Sequence, residues 1–142
     1  MVKEKDCNNV EHLKHALERL RALFNEMDEP IYVSDPETFE ILFVNEKIRK
    51  IFGENVLGRK CYKVFQNLNN PCSFCTNKYI FGENLGKTHI WEFQNRKNKH
   101  WYRCIDRAIE WPSGKHVRFE IAIDVTERKK AEEEKITLEA QL

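Results

Sequence analysis

The stretch from Thr88 to Asp124 constrains the fold of this chain more than any other, because it reads as three long strands separated by two turns. Thr88 to Asn95, His100 to Trp111 and His116 to Asp124 are joined at Arg96-Lys97-Asn98-Lys99 and at Pro112-Ser113-Gly114-Lys115, both of which suit hairpin turns. In the last strand Val117, Phe119, Ile121 and Ile123 alternate with Arg118, Glu120, Ala122 and Asp124. The first set is expected to face the core, and the second to face solvent or a covering helix. Trp101, Ile105, Ile109 and Trp111 share a parity in the middle strand, which sets Cys104, Tyr102 and Ala108 on the opposite face.

Upstream, Val10, Leu13, Leu17, Leu20, Phe24 and Met27 recur at spacings of three and four, the seam of a helix that packs on another helix. Pro30 ends that pattern, since the residue before a proline is pushed out of the helical region. Cys7 precedes the seam in a polar terminus expected to lack regular structure. Ile31 to Asp35 and Ile41 to Val44 are short β-rich runs that pair as a hairpin. Asn45 caps a short helix carrying Ile48, Ile51 and Phe52, and Gly53 stops it. A helical turn at Cys61, Val64 and Phe65 follows, then a second short helix from Cys72 to Phe81, then the three strands. After Thr126 the chain is charged and helical. The expectation is an α+β domain with a five-stranded antiparallel sheet and short helices on one face, flanked by N-terminal and C-terminal helices. Its divisions fall at 1–29 for the first helix, 30–124 for the domain and 125–142 for the start of the exit helix.

Charge excludes several function classes. Lys and Arg number 24 against 23 Asp and Glu, a net +1, so no overall field draws the molecule to nucleic acid or to an anionic membrane. Arg96, Lys97, Lys99 and Arg103 cluster with Trp101, but at a hairpin tip, where they read as a solvated turn. No apolar run approaches membrane-spanning length, and the first twenty residues alternate charges rather than forming a signal peptide, so a cytoplasmic protein is expected. Neither Asp106 with Glu110 nor His100 with His116 makes a recognisable acid–base pair, and no phosphate-binding glycine loop is present. The chain reads as non-enzymatic.

Three of the five cysteines fall between Gly58 and Cys75: Cys61, then ten residues, Cys72, two residues and Cys75. Thiolates in a short C-x-x-C turn suit zinc or an iron–sulfur cluster. A closed site needs a fourth ligand, for which Cys104, turned to the other face by the strand parity, and His89 or His100 are the candidates. A redox-active Cys72–Cys75 dithiol with Cys61 as a third thiol needs no such ligand. Cysteines packed as small hydrophobes are the third reading.

Asp124-Val125-Thr126-Glu127-Arg128-Lys129 resembles the segment with which many PAS domains pass from their last strand into a signalling helix. Phe43-Val44-Asn45 and Trp111-Pro112-Ser113-Gly114 resemble other joints of that family, and the likeness spans roughly Leu23 to Arg128. The resemblance implies a sensory input domain of a signal-transduction protein, with a pocket between the sheet and the short helices. The walls of that pocket are expected from Val33, Phe43, Ile48, Phe52, Val64, Phe65, Tyr79, Ile80, Ile105 and Ile121, and the relay from Asp124, Thr126 and Arg128. It also implies an output module outside this stretch, a histidine kinase or a nucleotide cyclase in the same or a partner chain, and a homodimer. The cofactor is left open between zinc and an iron–sulfur cluster, with haem and flavin behind them. Cluster-holding PAS sensors resemble a pattern of two C-x-x-C pairs, where this chain has one. Gly58-Arg59-Lys60-Cys61 resembles the start of the flavin-binding branch, but Lys60 and the Tyr62-Lys63 continuation depart from it.

Overall fold

The computed structural model describes residues 2–142, with side chains from residue 8 onward. Helix α1, Val2–Glu26, begins earlier than the apolar seam, so Cys7 lies within it rather than in an irregular terminus; its side chain is outside the described residues. Strands β1 (Ile31–Ser34) and β2 (Ile41–Val44) form the expected hairpin, and helices α2 (Glu46–Phe52) and α3 (Cys61–Gln66) follow. Strands β3 (Thr88–Gln94), β4 (Trp101–Glu110) and β5 (His116–Asp124) then lead into helix α4 (Thr126–Gln141). The five strands form one antiparallel sheet in the order β2-β1-β5-β4-β3.

The helix expected over Cys72 to Phe81 does not form. Cys72–Cys75 is instead a turn closed by the Cys75 amide donating to the Cys72 carbonyl at 3.1 Å, followed by single 3-10 turns at Asn77–Tyr79 and Gly82–Asn84. The segment is too short to nucleate a helix alone, and tertiary contacts claim the side chains of Thr76 and Asn77.

The assignment of sheet faces is also reversed. Alternation divides a strand into two faces, but the short helices cover the mixed one. Tyr32, Ser34, Trp91, Tyr102, Arg118, Glu120 and Ala122 point towards α2 and α3, and Cys104, Asp106 and Ala108 share their side of β4. Val33, Phe43, Ile105, Ile109, Phe119, Ile121 and Ile123 are on the outer face. There α1 makes an edge contact through Phe24, whose ring meets Phe43 at 5.8 Å. Ile90, on the same outer face, is half exposed.

Asn45 joins the pieces. Its Oδ1 accepts from the Ile48 amide (3.3 Å), capping α2, and from the Ile31 amide (3.1 Å) at the start of β1. Its Nδ2 donates to the carbonyl of Phe24 (3.2 Å) in the last turn of α1 and to that of Glu29 (2.9 Å) in the link to β1. The residue is fully buried, so truncation strands several backbone groups away from water. Asn45→Ala is expected to lower unfolding free energy by about 2–3 kcal/mol, from a lost cap plus buried unsatisfied groups. Urea denaturation followed by circular dichroism measures this; a change within error would show the junction to be held by packing alone.

Candidate functional site

Between the sheet and the short helices lies a cavity of about 70 Å³. Its floor is Tyr32, Trp91, Phe93, Tyr102, Arg118, Glu120 and Ala122; its roof is Ile48, Phe52, Cys61, Tyr62, Phe65 and the 72–77 segment. The roof is held by backbone pairing. Residues 58–61 run along the free edge of β2, with the Gly58 amide donating to the Ile41 carbonyl (2.8 Å) and the Cys61 amide to the Phe39 carbonyl (2.9 Å). Gly58 sits at φ 78°, where a side chain would be strained, and Phe39, a cavity-wall residue, takes φ 62° despite having one. The β3–β4 turn is tied down by Asn95 Nδ2 donating to the Phe65 carbonyl (3.0 Å) and by the Arg96 amide donating to Gln66 Oε1 (3.1 Å). Aromatic rings line the cavity wall: Trp91 stacks on Phe93 at 4.6 Å, and Phe65 meets Tyr32 at 4.6 Å and Phe52 at 5.0 Å.

Behind the cavity lies a buried charge network. Arg118 donates through Nη1 to Thr76 Oγ1 (2.6 Å) and Asn77 Oδ1 (3.1 Å), through Nη2 to Glu120 Oε1 (2.9 Å) and through Nε to the Tyr32 hydroxyl (3.3 Å), and its Nη2 forms an ion pair with Asp106 Oδ2 at 3.1 Å. Asp106 Oδ2 also accepts from Thr76 Oγ1 (2.7 Å) and the Trp91 indole (2.6 Å). Two carboxyl groups thus face one guanidinium. Burial, reinforced by the charge of Asp106, pushes Glu120 well above the usual carboxylate range despite Arg118. Burial and the neighbouring Asp106 carboxylate thus favour the protonated form of Glu120. Asp106 Oδ1 is buried and meets no hydrogen-bond donor among the described residues. Burial opposes the charge on Arg118, but Tyr32, Glu120 and Asp106 outweigh it and hold the guanidinium protonated.

The three roof cysteines share the cavity wall. Burial pushes the Cys61 thiol up to about 12 and Cys72 to about 11, with Arg118 only partly offsetting this, so both are neutral thiols at physiological pH. Among the described residues, no three His, Cys, Asp or Glu side chains come together in a way that could hold a metal ion. Cys104 is on the cavity side of the sheet, contrary to the parity reading, but it is fully buried beside Glu120 and does not line the cavity. His89 stacks on Tyr79 at 4.4 Å and His100 pairs with Asp124 at 2.7 Å, so neither reaches the cysteines. The residues present do not make a four-ligand site. A cavity of roughly 150 Å³ takes benzene, so haem and flavin are too large for this one as it stands.

Of the expected wall, Ile48, Phe52 and Phe65 line the cavity. Val64 and Ile80 are buried in the core beside it, and Tyr79 is half exposed. Val33, Phe43, Ile105 and Ile121 lie on the far face, a correction that follows from the reversed faces. Sequence reading missed Tyr32, Thr76, Trp91, Asp106, Arg118 and Glu120. The sequence carried part of the signal: Arg118 and Glu120 alternate with apolar residues on β5, and in register Asp106 stands opposite Glu120 and Ala108 opposite Arg118, although Arg103 and Arg107 of β4 fall on the other face.

At the exit, the amide and hydroxyl of Thr126 donate to Asp124 Oδ1 (2.9 and 2.6 Å), and the Trp101 amide donates to Thr126 Oγ1 (3.0 Å). Partial burial works against ionised Asp124, but hydrogen bonds from His100 and Thr126 hold it below the usual range. Arg128 meets Glu92 at 2.6 Å, and Lys129 meets the same carboxylate at 3.2 Å while lying 5.0 Å from the Trp101 ring centre.

A half-open cavity lies between an antiparallel sheet and a layer of short helices, and the last strand runs into an exit helix. Residues 18–86 match the PAS domain family, and the chain carries a PAS domain. Solved structures agree in fold. The PAS domain of an HTR-like protein from Haloarcula marismortui superposes with a TM-score of 0.66 at 20% identity, covering 82% of this chain and 98% of that one. The PAS domain of BvgS from Bordetella pertussis gives 0.52 at 20% identity, covering 87% and 96%. An RNA-binding light-oxygen-voltage receptor gives 0.63 at 19% identity over 88% of this chain, which spans only 37% of that receptor. No curated protein matches the sequence. Among the described residues, no helix is long and apolar enough to cross a membrane.

The raised Glu120 sets a pH dependence. Between its ordinary value of 4.5 and its folded value the native state binds more protons than the unfolded chain, so stability falls as pH rises through that window. Glu120→Gln keeps an oxygen for Arg118 and removes the titration. The variant is expected to flatten the fall above about pH 4.5, read as melting temperature against pH; parallel profiles for the two proteins would refute a protonated Glu120.

Proposed function

We propose that the chain is a non-enzymatic sensory input domain whose cavity takes a small ligand, and whose β5–α4 joint relays occupancy to an output module, a histidine kinase or a nucleotide cyclase in the same or a partner chain. The observation that carries this reading is the cavity itself. It is aromatic-walled and roofed by backbone-held segments, and its floor residues Arg118, Glu120 and Ala122 sit on the strand that becomes the exit helix. Size restricts the ligand to something smaller than benzene. Arg118 is buried, bonded to Thr76, Asn77, Glu120 and Tyr32 and ion-paired with Asp106, so its charge is already matched and an uncharged ligand suits the wall best. The relay runs through Asp124, Thr126 and Arg128, whose contacts tie the first turn of α4 to β3 and β4. A cytoplasmic setting suits the free thiols.

Acetamide, isopropanol and pyrrole are suitable probes, titrated in amide and indole NMR spectra. Shifts at the Trp91 indole that vanish in Ala122→Leu, which fills the cavity, support the reading. No shift, or shifts unchanged in the filled variant, would leave a ligand-free interaction domain as the better description.

A second copy of the chain is the partner we propose for α1. Val10, Leu13, Leu17, Leu20 and Leu23 are each more than half exposed, and the first four keep the alternating three- and four-residue spacing of a two-helix seam. Light scattering is expected to give a dimer, and Leu17→Glu with Leu20→Glu a monomer with an unchanged sheet; a monomeric parent contradicts the proposal.

A further inference from the structure

We propose that Cys72 and Cys75 are a reversible redox modification site, and that the disulfide they form locks the hydrogen-bonded clasp between the 72–77 segment and the centre of the sheet. Three observations lead there. First, the two thiols stand at the ends of a turn closed by a hydrogen bond of 3.1 Å. Such a turn brings its end Cα atoms within about 7 Å, and a disulfide spans roughly 4.4–6.8 Å between Cα atoms, so the bond can form without unfolding the segment. Second, both cysteines line the cavity and both are partly exposed, which admits a small oxidant; Cys104, fully buried, is out of its reach.

Third, the turn is wired to the sheet. Thr76, next in the chain after Cys75, donates to Asp106 and accepts from Arg118, and Asn77 accepts from Arg118 as well. Asp106 in turn accepts from the Trp91 indole. Fixing the turn therefore fixes the position of Thr76, and with it the carboxylate that Trp91 touches. No such wiring serves Cys61, which starts α3.

The chemistry balances with a disulfide oxidant such as oxidised glutathione. A thiolate, formed by loss of a proton, attacks the oxidant's S–S bond and expels one glutathione thiolate. The second cysteine, deprotonated in turn, attacks the mixed disulfide and expels the other. The two protein thiols lose two electrons and two protons, and the oxidant becomes two thiols. Burial leaves little thiolate on Cys72, so the pair oxidises slowly and stays reduced until an oxidant persists. This device is independent of whether the cavity binds a small ligand.

The test equilibrates the intact chain in reduced and oxidised glutathione buffers, traps free thiols by alkylation and maps disulfides by peptide mass. Expected are a Cys72–Cys75 bond that dithiothreitol reverses, a change in tryptophan fluorescence absent from Trp91→Phe, and slower amide exchange in β4 and β5 on oxidation. Thr76→Val is expected to keep the disulfide and lose the exchange effect, while Cys72→Ser loses both. Glutathione left as a mixed disulfide, a bond from Cys61 to either partner, or no bond at all overturns the site. A Cys72–Cys75 bond whose exchange effect survives Thr76→Val overturns the clasp.

Discussion

The structure depends on one buried arginine. Arg118 sits on the middle strand of the sheet, and removing one partner of such a buried pair costs about 3–5 kcal/mol because the other charge is left uncompensated. Asp106 on β4 and Glu120 on β5 supply the carboxyl groups, and Tyr32 on β1 and Thr76 and Asn77 in the covering segment supply neutral acceptors. Making these contacts to one guanidinium requires those elements to sit at one register and one height above the sheet. The cavity is the space left beside that arrangement, and its second carboxyl group is accommodated by keeping a proton.

The same demand explains the covering layer. The 72–77 segment has little intrinsic preference for any regular structure, and it takes a turn and a short 3-10 piece because its polar side chains are needed at the sheet. Cys72 and Cys75 are thereby held at the cavity wall. Their half-buried setting is a by-product of the network's position rather than of their own spacing.

At the other end of the molecule, α4 is fastened by short-range contacts that are mostly exposed. Pairs such as Arg128 with Glu92 contribute little energy individually in water. A weakly fastened helix continuous with a rigid strand is suited to changing its angle, whereas Asn45, with its fully buried bonds, is suited to holding α1, β1 and α2 still.

By itself the sequence determined the order and nature of most elements, the Asn45 cap, the five-stranded sheet and the exposed seam of α1, because local propensity, turn chemistry and periodicity act over a few residues. Ile48, Phe52 and Phe65, expected on the pocket wall, line the cavity, beside the cysteines Cys61, Cys72 and Cys75 that the sequence offered as metal ligands, redox groups or packing groups. Only the tertiary structure decided which sheet face the helices cover. Alternation separates two faces without ranking them, and the usual rule that the apolar face is inside fails where charges can pair. Arg118, Glu120 and Asp106 look like surface residues until two strands come into register, since a buried charge is tolerable only once its partner is in place.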